Sequence, residues 1–433
     1  MKIMKIMKIF IINNLDDINS NIVTHFSLDK GLYLAYGLYN CNNDIYFLTS
    51  SSFSIENNIK FININEADSD FLNSCDLIII IREAEIENIL ENYPSLKNIF
   101  FNNSARKVKI MIKSDSIQWI LNKSFRKYLS KELHINASIN SIRKWVNKNI
   151  DYICVQNKEF KNDAINNGIL STRIIESNMG VPKDILINFG NYDNPYNINH
   201  SYCKLDYKKL KNGDALYPKY YQENLNKLEE FNKKRYIIVY TGRIKTDNGK
   251  IIYLMKEIMD KLGEEYELHI FPGSFYLTIA GELIRCSARN INHLLMLRDT
   301  VFPDTKNVII HYPFEHKHGQ KYLYYADCGI DFSPSRPKDE LSHAGNAKLL
   351  EYCSIGLPVV CETNINNSHL VRSASNGILI DGIGTSDQYI DAIKILLTMK
   401  INRRLSSEIT VNNNNWDLRA VELITNLSKQ DQK

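Results

Sequence analysis

The sequence of 433 residues lacks any apolar run close to the roughly 18 residues of a membrane-spanning helix. It also lacks a strong charge of either sign: the formal net charge is +4, so the chain shows no global nucleic-acid-binding signature. With 44% hydrophobic and 24% charged residues, the composition is that of a globular protein rather than a disordered or fibrous one. Because a single core rarely serves so long a chain, we expect two domains of about 200 residues each.

The cysteines show neither a Cys-x-x-Cys pair nor a spacing typical of a metal site, and several lie in apolar runs. They are Cys41, Cys75, Cys154, Cys203, Cys286, Cys328, Cys353 and Cys361. Such a pattern is typical of reduced thiols in a cytosolic protein. The basic, apolar start, "MKIMKIMKIFIIN", has no long apolar core and no small-residue cleavage site, so it predicts a first β-strand rather than a signal peptide. We expect a cytoplasmic protein, with a place at the membrane surface as the alternative.

Short apolar runs alternate with helix-like segments in two series, which favours parallel sheets with helices on both faces. The first series predicts strands at 7–12, 45–48, 76–81, 97–101, 108–112 and 150–155, with helices at 30–39 and 86–91. The second predicts strands at 236–240, 267–271, 308–311, 328–332, 358–361 and 377–380, with helices at 251–262 and 347–353. We predict an α/β fold of two tandem doubly wound, Rossmann-like domains that face each other across a cleft.

The domain boundaries follow from a change in composition. Residues 188–234 are polar, rich in Tyr and Lys, and poor in apolar periodicity, so we interpret them as a linker or insertion. The first domain is then predicted over 1–187 and the second over 235–400. A helical segment at 401–433 is predicted to pack back on the first domain.

The stretch "YTGRIKTDNGK" places glycine and basic residues directly after a predicted strand. Gly242 allows a tight turn and close approach of a ligand to the backbone. Arg243 offers a planar fork of donors suited to phosphate oxygens, and Lys245 and Lys250 add mobile positive charges. The stretch is compatible with a diphosphate clamp, and also with a solvated turn that carries ordinary basic residues.

The stretch "HAGNAKLLEYCSIGLPVV" puts small residues before a predicted helix. Free backbone amides at a helix N-terminus bind anions. One turn into the helix, the carboxylate of Glu351 could accept hydrogen bonds from a vicinal diol such as a ribose. The alternative is a plain amphipathic helix with a partly exposed glutamate, ended by Gly356 and Pro358.

Four blocks taken together, "YTGRI…K", "YYADCGIDFSPSRP", "HAGNAKLLEYCSIGLPVV" and "SNGILI", resemble the donor-binding half of nucleotide-sugar glycosyltransferases with the GT-B fold, closest to glycosyltransferase family 4. They span about 236–381, whereas the N-terminal half is similar only loosely, mainly through "NMGVP" at 178–182. The resemblance implies an N-terminal acceptor-side domain and a C-terminal nucleotide-sugar-binding domain.

The resemblance also implies roles for individual residues. Arg243 and Lys250, with Lys245 as second choice, would hold the donor diphosphate, and Glu351 would hold the ribose. The implied donor-binding set is Gly242, Arg243, Lys245, Lys250, His343, Ala344, Gly345, Asn346, Lys348 and Glu351, with Pro313 and Phe314 near the base. Where the family commonly has a second glutamate, this chain has His343, which implies an altered sugar contact or lost catalysis.

The implied reaction moves a sugar from a UDP or GDP sugar to a hydroxyl of a glycan, a lipid-linked molecule or another acceptor. The family retains anomeric configuration and needs no metal, because protein cations and amides offset the charge of the leaving diphosphate. No cofactor is expected. The predicted catalytic set is Asp115, Arg243 and Lys250. Asp115 is included because it follows the predicted strand 108–112 at its carboxyl end, where it could orient or deprotonate the acceptor hydroxyl, or could simply cap the next helix.

Several alternatives remain open at this stage. Asp68 and Asp70 form a DxD pair, which binds metal in the other main glycosyltransferase fold. Residues 123–148 hold seven Lys or Arg, so they could contact anionic lipid or a nucleic acid, or be a solvated face. Rival functions are a nucleotide-sugar epimerase, a non-catalytic nucleotide-sugar-binding module and a glycosyltransferase acting on modified DNA bases.

Overall fold

The computed structural model describes residues 6–12, 30–49, 54–56, 58–63, 65–81, 86–102, 106–113, 118–183, 185, 193–196, 214–217, 235–244, 250–279, 282–312, 316–332, 347–365 and 367–430. The chain forms two compact units. The first comprises Met1–Asn21, Asp29–Pro182 and Asn414–Lys433, and the second comprises Ile22–Leu28 and Lys183–Asn413.

The first unit is built on an eight-stranded sheet. Its strands are β1 (Lys8–Ile12), β2 (Asp44–Thr49), β3 (Ser54–Glu56), β4 (Ile59–Asn63), β5 (Leu77–Ile81), β6 (Lys109–Lys113), β7 (Tyr152–Val155) and β8 (Ile174–Glu176). Their spatial order is β3-β4-β2-β1-β5-β6-β7-β8, and all neighbours are parallel except β3 and β4. All five residues of β5, "LIIII", are buried, as expected for a parallel strand covered on both faces.

Eight α-helices connect these strands in the part of the chain that the structure describes. They are α1 (Lys30–Asn40), α2 (Ser69–Ser74), α3 (Ile86–Asn92), α4 (Pro94–Phe101), α5 (Gln118–Leu121), α6 (Lys123–Leu133), α7 (Ile139–Asn149) and α8 (Lys158–Asn166). Short polar side chains begin several of them: Asn122 accepts hydrogen bonds from the first turn of α6, and Ser138 does so for α7.

The strand predicted at 97–101 is wrong, because these residues belong to α4. Pro94 stands at the first helical position, where its missing N–H costs nothing and its fixed φ suits a helix. The buried residues Leu96, Ile99 and Phe100 then follow at helical spacing. A short apolar run cannot be told from a buried helix by periodicity alone, and here the proline was the decisive signal.

The second unit contains a seven-stranded sheet and a separate hairpin. Its strands are β9 (Ala215–Leu216), β10 (Tyr236–Gly242), β11 (Tyr266–Pro272), β12 (Ser274–Ile279), β13 (Glu282–Ser287), β14 (Val308–His311), β15 (Cys328–Ile330), β16 (Val359–Glu362) and β17 (Gly377–Ile380). The large sheet has the order β17-β16-β15-β10-β11-β14-β9, parallel except for β9. The antiparallel hairpin of β12 and β13 has no counterpart in the sequence prediction.

Helices flank this second sheet. They are α9 (Lys250–Leu262), α10 (Ile291–Val301), α11 (His316–Tyr325), α12 (Ala347–Ser354), α13 (Ser368–Ser373), α14 (Ser386–Thr398) and α15 (Arg403–Asn414). The predicted doubly wound, Rossmann-like architecture is therefore confirmed for both sheets. No helix within the described part of the chain is long and apolar enough to cross a membrane.

The last helix, α16 (Trp416–Gln430), packs in the first unit against α1. A side chain at Gly37 would place its Cβ 2.5 Å from the carbonyl oxygen of Trp416, so the absence of a side chain lets the helices approach closely. Trp416 itself is buried in the core of the first unit together with Leu423 and Leu427.

Candidate functional site

The candidate site lies at the carboxyl edge of the second sheet. The chain builds this sheet outward from β10 in one direction with β11 and β14, and in the other with β15, β16 and β17. The order therefore reverses between β10 and β15, and ligands of doubly wound sheets bind at such a switch point. Gly242 closes β10, and Asp331 follows β15 directly.

Gly242 has the backbone angle φ +86°, which favours glycine because a side chain would be strained there. The nearest atoms to a Cβ added at this position would be Lys348 Cδ and Cγ, both at 3.7 Å. The following residue, Arg243, is exposed, and its carbonyl accepts a hydrogen bond from the Tyr240 hydroxyl at 3.0 Å. The strand thus ends in a fixed turn that presents a guanidinium to solvent.

Lys348, in the first turn of α12, reaches this turn from the side. Its Nζ lies 2.7 Å from Oδ1 of Asp331, whose side chain is 0% exposed, and donates to the Tyr240 hydroxyl at 2.9 Å. Burial lowers the pKa of Lys348, but the Asp331 carboxylate more than offsets this, so the pKa ends well above its ordinary value. Lys348 is therefore a cation tied to Asp331.

Tyr352, one turn further along α12, forms hydrogen bonds to Thr241 near the end of β10. Its hydroxyl accepts a hydrogen bond from the Thr241 backbone N–H at 3.0 Å and lies 3.1 Å from the Thr241 hydroxyl. Burial raises the pKa of Tyr352 well above its ordinary value, so the phenol stays protonated. Two side chains of one helix, Lys348 and Tyr352, therefore set the position of the β10 turn.

Asp331 is held by a second buried group. Its carbonyl oxygen lies 3.0 Å from the Tyr389 hydroxyl, which is also 3.2 Å from Oε1 of Glu362 at the end of β16. Glu362 in turn accepts a hydrogen bond from the Gly384 N–H at 2.9 Å. The carboxyl ends of β10, β15 and β16 are thus connected by buried polar contacts.

Glu351 also lies on α12, where its side chain is directed into the unit and the residue is only 4% exposed. Gly356 follows the helix with φ +68°, and a Cβ there would overlap the Arg403 carbonyl. The predicted helix stop at Gly356 is confirmed, and the next strand begins at Val359.

Many sequence-predicted site residues lie outside the described residues. They are Asp115, Lys245, Pro313, Phe314, His343, Ala344, Gly345 and Asn346. Lys250 is the first residue of α9, but its side chain is not among the described parts of the structure. The roles of these residues stay predictions.

Sequence reasoning missed Asp331, Tyr240 and Tyr352 as site residues. All three stand in quoted blocks, and the available signal was a lone carboxylate directly after a buried strand, in "CGIDF". It also missed a second buried polar group at the same sheet.

That second group joins β10, β11 and β14. Arg235 Nη1 lies 2.9 Å from Glu267 Oε1, and Glu267 Oε2 lies 3.2 Å from His269 Nε2. His269 Nδ1 lies 2.8 Å from His311 Nε2, and the His311 ring stacks on Phe271 with centroids 4.1 Å apart. His311 is the last residue of β14, directly before the segment predicted to lie near the base.

Two alternative features have structural uses. Asp68 caps α2, because its side chain accepts a hydrogen bond from the Phe71 N–H at 2.7 Å, and Asp70 lies in the first turn of that helix. Within the described ranges, no group of three or more His, Cys, Asp or Glu side chains could hold a metal ion. In residues 123–148, Trp145 packs on Phe100 with ring centroids 5.3 Å apart.

Comparison with known proteins yields structural matches only. No protein-family model matches the chain, and no curated protein matches it by sequence. The solved structure of sucrose-phosphate synthase from Thermosynechococcus elongatus matches with a TM-score of 0.56 at 12% identity, covering 98% of both chains. The solved structures that are similar to this chain include glycosyltransferases. This chain has the GT-B fold.

Two further GT-B structures support this assignment. Anabaena HepE in complex with UDP and glucose matches with a TM-score of 0.56 at 11% identity, covering 98% of this chain and 99% of HepE. A UDP-forming α,α-trehalose-phosphate synthase from Burkholderia vietnamiensis matches with a TM-score of 0.54 at 9% identity, covering 98% of both chains. At these identities the matches establish the fold alone, and membership of family 4 stays a prediction.

Proposed function

We propose that this protein is a glycosyltransferase that moves a sugar from a nucleoside diphosphate sugar to a hydroxyl acceptor. The observation that carries the proposal is the β10 turn at the switch point, where Gly242 and exposed Arg243 are held by Lys348, Asp331 and Tyr352. Similarity of fold to nucleotide-sugar glycosyltransferases over nearly the whole chain supports it.

In this proposal the donor diphosphate binds at the β10 turn. Gly242 has no side chain to keep a phosphate away from the backbone, and the Arg243 guanidinium can bind two phosphate oxygens at once. HepE was solved with UDP and glucose, which supports a UDP sugar as the first donor to test. Lys250 and Lys245 would add charge, and Glu351 would hold the ribose.

Lys348 takes a different role in the proposal from a direct phosphate contact. Its charge is already balanced by Asp331 at 2.7 Å, and its Nζ also holds Tyr240, which in turn binds the Arg243 carbonyl. Lys348 is therefore a positioning residue that keeps the turn in place. A turn held in advance binds a charged transition state without reorganising, which is how preorganised cations accelerate group transfer.

The proposed reaction needs no metal, because Arg243 and the basic residues that follow it offset the charge of the leaving diphosphate. Attack from the face that the leaving group vacates would retain the anomeric configuration. Asp115, after β6 in the first unit, would orient or deprotonate the acceptor hydroxyl.

The first experiment is thermal stabilisation of the full chain by UDP, GDP and their sugars, with and without magnesium. At a ligand concentration of 100 times Kd, binding adds about 2.7 kcal/mol to the free energy of unfolding. One nucleoside diphosphate should stabilise the wild type, and Arg243→Ala and Glu351→Ala should lose this response. Arg285→Ala, which removes an exposed arginine of the hairpin, is the matched control and should keep it.

Absence of stabilisation by every nucleotide would overturn the donor site. Stabilisation without donor hydrolysis or sugar transfer to any acceptor would instead favour the non-catalytic binding module. Measuring the release of the nucleoside diphosphate by anion-exchange chromatography distinguishes an enzyme from a non-catalytic binding module.

A further inference from the structure

A buried lysine stands at the carboxyl edge of the first sheet. Lys113 is the last residue of β6 and is only 8% exposed. Its Nζ lies 3.3 Å from the Ser177 carbonyl oxygen, just beyond β8, and 3.6 Å from Cys154 Sγ on β7. Both contacts are to neutral groups and both are long for an ammonium.

Among the described residues, no carboxylate pairs with this ammonium. Within the ranges that the structure describes, Lys348, whose side chain is 16% exposed, pairs with Asp331 at 2.7 Å, whereas Lys113 forms no ion pair. A buried ammonium normally has a paired anion, because its loss of hydration must be offset. In the described part of the chain, Lys113 therefore lacks the counter-charge that a buried ammonium normally has.

The neighbouring Ser177 shows a matching deficiency. Ser177 is 1% exposed, and its hydroxyl Oγ has no hydrogen-bond partner among the described residues. Buried hydroxyls without a partner are rare in folded proteins, and each one calls for an explanation. Within the described residues, a cation without a counter-charge and a hydroxyl without a hydrogen-bond partner thus occur on the contacting residues Lys113 and Ser177.

We propose that Lys113 and Ser177 form an anion subsite that takes a phosphate group, with the Lys113 ammonium supplying the charge and the Ser177 hydroxyl a hydrogen bond. The site lies at the carboxyl ends of β6, β7 and β8, the edge where doubly wound sheets bind ligands. We assign this phosphate group to the acceptor substrate, an assignment that rests on the proposed function. The acceptor is then a phosphorylated sugar or a similar small phosphate ester.

The proposal predicts opposite effects of Lys113 on the melting temperature without ligand and with phosphate. Without ligand, its uncompensated charge costs stability, so Lys113→Met should raise the melting temperature of the full chain. With inorganic phosphate, the wild type should gain stability and Lys113→Met should not. A purely structural lysine that only holds the Ser177 carbonyl predicts the reverse: a lower melting temperature and an unchanged phosphate response.

The experiment is a titration with inorganic phosphate, read by thermal denaturation, in the wild type and in the Arg243→Ala background that lacks the proposed donor clamp. Ser177→Ala should weaken the phosphate response about tenfold, the effect of one hydrogen bond to a charged group. Lys109→Met is the matched control: it removes a lysine from the other end of β6 and should leave the response unchanged. A response that survives Lys113→Met overturns the subsite.

The acceptor assignment is tested by comparing glucose 6-phosphate, glucose and inorganic phosphate. A sugar phosphate that binds at least tenfold more tightly than phosphate, with no response to glucose alone, supports a phosphorylated acceptor. Equal binding of phosphate and sugar phosphate overturns it. Because these titrations use no nucleotide, they can be interpreted even if no nucleotide binds and the proposed donor site fails.

Discussion

A lysine with little exposure lies at the carboxyl edge of each sheet: Lys113 ends β6 and is 8% exposed, and Lys348 reaches the second sheet from α12 with a side chain 16% exposed. The two lysines differ in what balances their charges. Lys348 lies 2.7 Å from the fully buried carboxylate of Asp331 and also contacts Tyr240. Among the described residues, Lys113 forms hydrogen bonds to a carbonyl and a thiol and no ion pair. The same residue type at equivalent edges of two sheets is thus paired with a carboxylate in one unit, whereas in the other the described residues supply no counter-charge.

This difference indicates a structural role for Lys348 and a ligand-binding role for Lys113. An ion pair inside a unit holds its elements in place, and removing one member leaves the other buried and charged. A buried charge without an internal partner destabilises its own unit and is worth keeping only if a ligand completes it. We therefore expect substitutions of the two lysines to act in opposite directions.

The largest effect is expected for Lys348→Met. Asp331 is 0% exposed, so it would remain as a buried carboxylate without its cation, at a cost of about 3–5 kcal/mol. Urea denaturation followed by circular dichroism measures this loss. The double variant Asp331→Asn/Lys348→Met should recover most of it, because no charge is then left unpaired. Equal losses for Lys348→Met and Lys113→Met would remove the distinction between the two edges.

The next effect concerns Tyr352→Phe, which removes the acceptor of the Thr241 N–H. An unsatisfied buried N–H costs about 1–3 kcal/mol. The matched variant in the first unit is Tyr93→Phe, where the lost hydroxyl donates to the Ala67 carbonyl at 2.8 Å. Buried carbonyls tolerate a missing hydrogen bond better than buried N–H groups, so we expect a smaller loss there in the same urea assay. A larger loss for Tyr93→Phe would contradict the importance of the β10 turn.

Gly242→Ala should cost about 1–2 kcal/mol, since its φ of +86° strains any other residue. The new Cβ would meet no atom closer than 3.7 Å, so the loss comes from the backbone rather than from a clash. Calorimetric titration should show weaker nucleotide binding by this variant but an unchanged phosphate response at Lys113. Equal weakening of both responses would indicate a general loss of folding instead.

The sequence predicted the skeleton of both sheets better than the chemistry at their edges. Strands such as β14 and β17 were predicted with the bounds that the structure has, because apolar runs between turn signals are a local property. The hairpin of β12 and β13 was missed, and α4 was mistaken for a strand, since short segments carry too few residues to show a period.

The polar contacts at the edges were out of reach for a different reason. Gly242 and Arg243 could be singled out because they follow a strand in a recognisable block. The pairing of Lys348 with Asp331 joins two elements, and whether a lysine is neutralised depends on that tertiary contact. Lys113 directly follows the strand predicted at 108–112, but the sequence does not reveal its burial beside Ser177, which arises only when β6 and β8 come together.

The smallest expected effect is the pH dependence of the stability that Lys348 contributes. The pKa of Lys348 is raised in the folded chain above the unfolded value of about 10.4, so its contribution to stability is fully present below pH 10.4 and declines only as the pH rises through the folded value. The difference in free energy of unfolding between wild type and Lys348→Met should therefore be constant from pH 7 to about 10 and shrink above that, as measured by urea denaturation in a series of buffers. A difference that already falls between pH 7 and 9 would mean that Lys348 loses its proton in the neutral range, which would contradict its stabilisation by Asp331.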